Sequence, residues 1–139
     1  MGYRFVANIA YGWQEKRPPD IYVPTAGVAE SEDEESFALE FQGGFEEAAE
    51  QDIRNGSDSY CVFTPDQNTA YGCVRTAELE GNLLRVTFDP AYLEALCLDD
   101  PVVEAVLRAP AEDVARMREA LTRILTYGRP DALPILIAV

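Results

Sequence analysis

The chain opens on an alternation. Tyr3, Phe5, Ala7, Ile9 and Tyr11 recur at every second position, the period of a strand with one apolar face. Gly12 to Pro24 interrupts this with Lys16, Arg17 and a Pro18-Pro19 pair, the composition of a loop. Thr25 to Glu30 fits a second, short strand. The cleanest alternation follows, with Phe37, Leu39 and Phe41 set against Ser36, Ala38, Glu40 and Gln42. Between these two strands lies Glu30-Ser31-Glu32-Asp33-Glu34-Glu35, which reads as the tip of a hairpin. Gly43-Gly44 ends the second strand. Phe45 to Asp52, acidic and alanine-containing, suits a short helical turn.

Asn55-Gly56-Ser57-Asp58 is a turn signal. Ser59 to Thr64 then reads as a strand, Pro65 to Thr69 as a loop, and Ala70 to Leu79 as another strand. Glu80-Gly81-Asn82 turns the chain into Leu83 to Phe88, where Leu84, Val86 and Phe88 share a face. Connections this short join antiparallel strands, since a parallel crossover needs a dozen residues or more. Asp89 is placed to cap a short helix starting at Pro90, with Leu93, Leu96 and Cys97 on its buried side. The β-branched content of Val102 to Leu107 favours a strand. Pro110 to Tyr127 is the best helix: Glu112 and Asp113 suit its positive end, and Gly128 and Pro130 stop it. Val114, Met117, Leu121, Ile124 and Leu125 form its apolar stripe. The apolar tail Leu133 to Val139 is an edge strand that pairs, or a buried extension.

The pattern predicts an α+β fold. One antiparallel sheet of five to six strands, in meander or hairpin order, packs against one long C-terminal helix and one short helix. Residues 1–139 read as a single domain, with 131–139 as an apolar C-terminal extension.

Charge changes the picture most. Twenty-five acids face eleven bases, for a formal net charge of −14. Such a surface repels nucleic acid and anionic membrane and attracts basic proteins. From Glu30 to Asp52 there are ten acids in twenty-three residues and no base. Strung through loops, these carboxylates are solvated and ionised, unlike the cleft-bound pair of a hydrolase. Their spacing also lacks the calcium-loop pattern. They read as a negative surface for a positive partner, or as a plain solvated loop. The partner-facing candidates are Glu30, Glu32, Asp33, Glu34, Glu35, Glu46, Glu47, Glu50 and Asp52. Secondary candidates are Tyr11 and Trp13, as an interface anchor or core packing, and Asp58, whose plainer role is to bond its own turn.

Histidine is absent, which removes the commonest general base and metal ligand. Cys61 and Cys73 would lie opposite each other if their hairpin centred near Gln67. Cross-strand Cβ separations of about 4.5–5.5 Å then exceed the roughly 3.5–4.5 Å a disulfide needs, so reduced thiols are expected. No cofactor, metal or catalytic residue is expected. The first ten residues lack the signature of a signal peptide, and no segment is apolar enough to span a membrane. The expectation is a cytoplasmic protein.

Several segments together resemble the immunity protein 10 family of bacterial polymorphic toxin systems. They are Met1-Gly2-Tyr3-Arg4-Phe5, Leu39-Glu40-Phe41-Gln42, and Gln51-Asp52-Ile53 with Asn55-Gly56-Ser57-Asp58-Ser59-Tyr60-Cys61-Val62. Tyr71-Gly72-Cys73-Val74, Leu83 to Phe88 and Leu121-Thr122-Arg123-Ile124-Leu125 complete the set. The family tends to carry Arg where Gly43 stands and Gly where Cys73 stands. The resemblance implies a small non-enzymatic α+β protein that binds a cognate or related toxin domain in the cytoplasm. With the acidic balance, that partner is expected to be basic, such as a nuclease. A monomer or weak homodimer is expected, with no direct contact to nucleic acid or membrane. The alternative is an acidic interaction module or regulatory subunit unrelated to toxins.

Overall fold

Asn8 divides the opening alternation in two. Before it, Phe5 and Ala7 are buried; after it, Ala10 is, so the buried phase slips at the bend. The computed structural model describes residues 2–17, 21–33, 35–43, 60–65, 68–126, 134 and 136–139; of residues 14–17, 21–23 and 136 only the backbone is described. Strand β1 (Tyr3–Ala7) belongs to one sheet and β2 (Ile9–Arg17) to another. The side-chain amide of Asn8 donates to the Glu30 carbonyl at 3.0 Å, which holds the crossing in place.

The second sheet is a plain meander. Its order is β2, β3 (Ile21–Ala29), β4 (Ala38–Gln42), β5 (Cys61–Thr64) and β6 (Asn68–Tyr71), every pair antiparallel. The chain then returns to the first sheet through Gly72 and Cys73. There β7 (Val74–Glu80), β8 (Leu83–Phe88) and β9 (Val102–Leu107) pair antiparallel in hairpin order. At the edges, β1 lies parallel to β9, and β10 (Leu136–Ala138) lies parallel to β7. Long connections make both parallel pairs possible.

Among the described residues the expected single sheet is therefore two sheets of five strands, and the first is mixed. Tyr3 to Tyr11 is two strands, and Ala70 to Leu79 spans parts of two. Within the loop expected over Gly12 to Pro24, residues 12–17 and 21–24 are instead paired strand, with Gly12 opposite Ala26 and Gln14 opposite Pro24, while 18–20 lie outside the described residues. The expected loop Pro65 to Thr69 ends early, because β6 starts at Asn68. The tail is the edge strand that pairs. The signals at Gly44, Phe45 to Asp52, Asn55 to Asp58, Gly128 and Pro130 lie outside the described residues.

The helices fall close to expectation. Asp89 caps a 3-10 turn over Pro90–Tyr92, its Oδ1 accepting from the Ala91 N–H at 3.0 Å. The four-residue α1 (Leu93–Leu96) follows and buries Leu96. Cys97, expected on the buried side, is exposed instead. It ends α1 in the left-handed region at φ 54°, which turns its side chain out of the helix's apolar face. Helix α2 (Ala111–Leu125) buries Met117, Leu121, Ile124 and Leu125, with Val114 half-buried beside them.

Helix α2 crosses β2 and β3, and Gly12 lets it come close. A Cβ at Gly12 would fall on the Arg116 carbonyl and 2.8 Å from Met117 N. Only a bare Cα leaves room there. The helix stripe, Leu39, Phe41 and Val62 from the second sheet, and Leu84, Val86, Phe88 and Val103 from the first form one core. Tyr60 ties the sheets together. Its fully buried hydroxyl accepts from Val74 N at 3.0 Å and donates to Val74 O at 3.2 Å, where β7 begins.

Candidate functional site

The acidic run is the tip of the β3–β4 hairpin, as its position between two alternating segments implies. Glu30 N donates to Phe37 O at 3.0 Å, closing the base of the loop. The tip holds its own shape. Asp33 Oδ1 accepts from Glu35 N at 2.9 Å, and Ser36 Oγ donates to Asp33 O at 2.7 Å. Ser31 Oγ accepts from Asp33 N at 3.1 Å. These are the local side-chain to backbone bonds that short polar residues make in turns.

Of the nine partner-facing acids, Glu30, Glu32, Asp33 and Glu35 are described. Glu32, Asp33 and Glu35 are exposed. Glu30 is half-buried, its Oε1 accepting from Phe37 N at 3.2 Å. Among the described residues no cation forms an ion pair with any of the four. Glu34, Glu46, Glu47, Glu50, Asp52 and Asp58 lie outside the described residues.

Beside the tip stands an aromatic cluster that sequence reasoning did not connect to it. Phe37 packs on Phe5 edge-on, with ring centroids 4.9 Å apart, and on Tyr3 at 4.7 Å. Tyr3 is 43% exposed. Partial burial, then the nearby Glu30 charge, raise its phenol pKa. The signal available in the sequence was Phe37 itself, the first apolar residue after the run. Only tertiary structure brings Tyr3 to it.

Tyr11 and Trp13 stack at 4.3 Å on one face of the second sheet. Tyr11 is committed there. Its ring lies across Gly27, and its hydroxyl donates to Glu40 Oε1 at 2.7 Å. Burial, then that hydrogen bond, push its pKa up. Trp13 is 52% exposed. The pairing register sets Trp13, Thr25, Gln42, Cys61 and Tyr71 in one row across the sheet.

The first sheet carries a buried carboxylate that the sequence did not reveal. Glu104 stands between Arg4 and Arg85 on the flanking strands, with contacts of 3.2 Å and 2.9 Å. Arg85 also approaches Glu78 at 3.8 Å. The hydrogen bond from Arg85, then that from Arg4, hold the Glu104 carboxyl below the usual carboxylate range against its own desolvation. The row is a structural ladder of alternating charge.

The cysteines do not face each other. Cys61 pairs with Tyr71, and Cys73 lies beyond the end of β6. The hairpin is centred one residue earlier than expected, and no disulfide joins the three cysteines. Burial pushes the Cys73 thiol up to about 12. Among the described residues, no group of three or more His, Cys, Asp or Glu is placed to hold a metal ion. No helix among them is long and apolar enough to cross a membrane.

Among the described residues, two sheets over one core, one long helix and a charged hairpin make an α+β fold. The family model described as Immunity protein 10 matches residues 8–115, and the chain belongs to that family, the immunity proteins of toxin systems. No curated protein and no solved structure matches it.

Proposed function

We propose that this chain neutralises a cognate or related toxin domain by binding it in the cytoplasm, without catalysing a reaction. The contact is the acidic hairpin: Glu30, Glu32, Asp33 and Glu35 with Glu34, continued along the chain by Glu46, Glu47, Glu50 and Asp52. One observation carries the reading. The tip is fixed by its own hydrogen bonds, and its exposed carboxylates have no cation beside them among the described residues. A fixed, unneutralised negative surface is what a basic partner recognises. It raises association rates through long-range attraction, to about 10⁸–10⁹ M⁻¹s⁻¹ at low salt. Family membership supports the toxin as that partner. A basic toxin, a nuclease among others, fits the charge.

Where the neighbouring gene encodes a secreted protein with a variable C-terminal domain, co-expression of this chain with that domain is the test. Survival is expected only in the chain's presence; equal killing with and without it sinks the reading. For the surface, Glu32→Gln, Asp33→Asn and Glu35→Gln together move the net charge from −14 to −11. The triple variant should keep its melting temperature and associate more slowly. The association rate should also depend less steeply on salt than the parent's. Capture of a non-toxin basic partner instead would favour the regulatory-subunit alternative.

A further inference from the structure

Next to the acidic tip, the first sheet and the segment after α1 enclose an open groove of about 460 Å³, lined by Tyr3, Phe37, Cys97, Leu98, Asp99 and Asp100. That volume lies in the roughly 300–1,000 Å³ range of sites that take side chains and small molecules. Its apolar wall is pre-set. Phe37 is wedged between Tyr3 and Phe5, and Phe5 belongs to the core. The opposite wall is acidic. Asp100 Oδ1 accepts from Val102 N at 2.9 Å, which fixes that side chain, and Asp99 is exposed beside it. Glu30 lies outside the lining but close by: it bonds Phe37 N at 3.2 Å, and its charge acts on Tyr3. Among the described residues no cation pairs with Asp99 or Asp100.

We propose that this groove is a docking site for an arginine side chain presented by a protein partner, which on the reading above is the toxin. Three features select that occupant. A wall carrying the Asp99 and Asp100 carboxylates calls for a cation. An exposed tyrosine ring calls for a planar, delocalised cation that stacks, which guanidinium does and a strongly hydrated ammonium does poorly. Phe37 and Leu98 offer apolar surface for the methylene stem. A purely apolar side chain would strip water from the carboxylates and return nothing to them. The groove and the hairpin tip meet at Phe37, so one basic loop can engage both.

The probe is the tripeptide acetyl-Gly-Arg-Gly-amide, titrated at low salt into the ¹⁵N-labelled full chain, with its lysine and citrulline counterparts. Saturable shifts are expected at Tyr3, Phe37 and Leu98 to Asp100, with a dissociation constant on the order of millimolar. Lysine should bind at least about threefold more weakly and citrulline should leave the groove unmoved. Asp99→Asn with Asp100→Asn should weaken the arginine peptide about fivefold or more. Equal binding of lysine, or shifts scattered over the surface, overturns the proposal. A second measurement needs no variant. Cys97 lies in the groove, so its alkylation should slow about tenfold or more in the co-purified toxin complex. Capture of the arginine peptide without toxin neutralisation defeats the toxin reading and leaves the arginine site standing. Neutralisation with Cys97 fully reactive and the Asp99/Asp100 variant unimpaired defeats the groove and leaves the toxin reading standing.

Discussion

The sharpest test of the architecture is Gly12→Ala. Alanine at an ordinary strand position normally stabilises by about 0.4–1 kcal/mol, because it narrows the unfolded ensemble. Here the sign should reverse. The new Cβ would overlap the Arg116 carbonyl, and it would sit 2.8 Å from Met117 N against an ordinary contact of 3.4 Å or more. Both obstacles are helix backbone, so no side chain can rotate aside. Helix α2 must retreat from β2 by roughly 1 Å, a gap that forfeits roughly a quarter to a half of each dispersion contact it opens. Met117, Leu121, Ile124 and Leu125, each 1% exposed or less, would all lose contact. Overpacking commonly costs about 1–3 kcal/mol, and an immovable obstacle places this case at or above the top of that range. At about 3 °C per kcal/mol for a chain of this size, the melting temperature should fall by about 10 °C. Gly81→Ala is the matched control. Nothing lies within 4 Å of its Cβ, but its φ of +62° costs an L-residue about 1–2 kcal/mol. Urea and thermal unfolding of both variants decide the matter. If Gly12→Ala is no worse than Gly81→Ala, the close helix–strand approach is wrong.

Tyr60→Phe leaves both backbone groups of Val74 without their buried partner, so it should cost about 1–3 kcal/mol in urea unfolding. A loss below about 0.5 kcal/mol would mean the tie between the sheets is unimportant. Glu104→Gln should destabilise at neutral pH. The native Glu104 pKa lies below its unfolded value, so its contribution is complete above the unfolded pKa, near 4.5. That contribution is lost as pH falls through the native pKa. The gap between variant and parent in thermal unfolding should therefore close on acidification, and a gap that widens there refutes the ion-pair account. Thiol titration of the native protein should consume Cys97 quickly, and Cys61 and Cys73 only on unfolding. Fast reaction of all three would contradict the burial of the latter two.

What the sequence disclosed follows the range of the interactions involved. The β3–β4 and β7–β8 hairpins and the stripe of α2 were legible because period and turn residues are local signals. The division into two sheets was not, because nothing in a strand's alternation says which sheet it joins. The crossings leave one faint mark, Gly72 inside a run that otherwise reads as one strand; at Asn8 the apolar alternation of the sequence runs on unbroken, and only the burial shifts phase. Gly12 to Pro24 misled for a physical reason. Glycine and proline usually break strands, but Gly12 is there for a helix that arrives about a hundred residues later. Pro24 sits where β4 has already ended, with its carbonyl still accepting from Gly43 N at 3.1 Å. Glu104 was illegible in the same way, since its two arginines come from strands 100 and 19 residues away.

The proposed hairpin and groove divide the work of binding by their exposure, and that division is measurable. Charges in open water act at the distance of a Debye length, about 8–10 Å at ordinary salt, so Glu32, Asp33 and Glu35 influence encounter more than the finished complex. The groove is different. Tyr3, Phe37 and the fixed Asp100 can contribute only once a side chain has displaced their water, which happens after encounter. Neutralising the hairpin should therefore lower the association rate and leave dissociation nearly unchanged. Neutralising Asp99 and Asp100 should act chiefly on the dissociation rate, raising it more than it lowers association. The formal charge change is nearly equal in the two variants, three units against two, so net charge alone predicts similar effects on both rates. A clean split between the two rate constants would show that position matters, and that the core which fixes Phe37 also fixes where the partner is held.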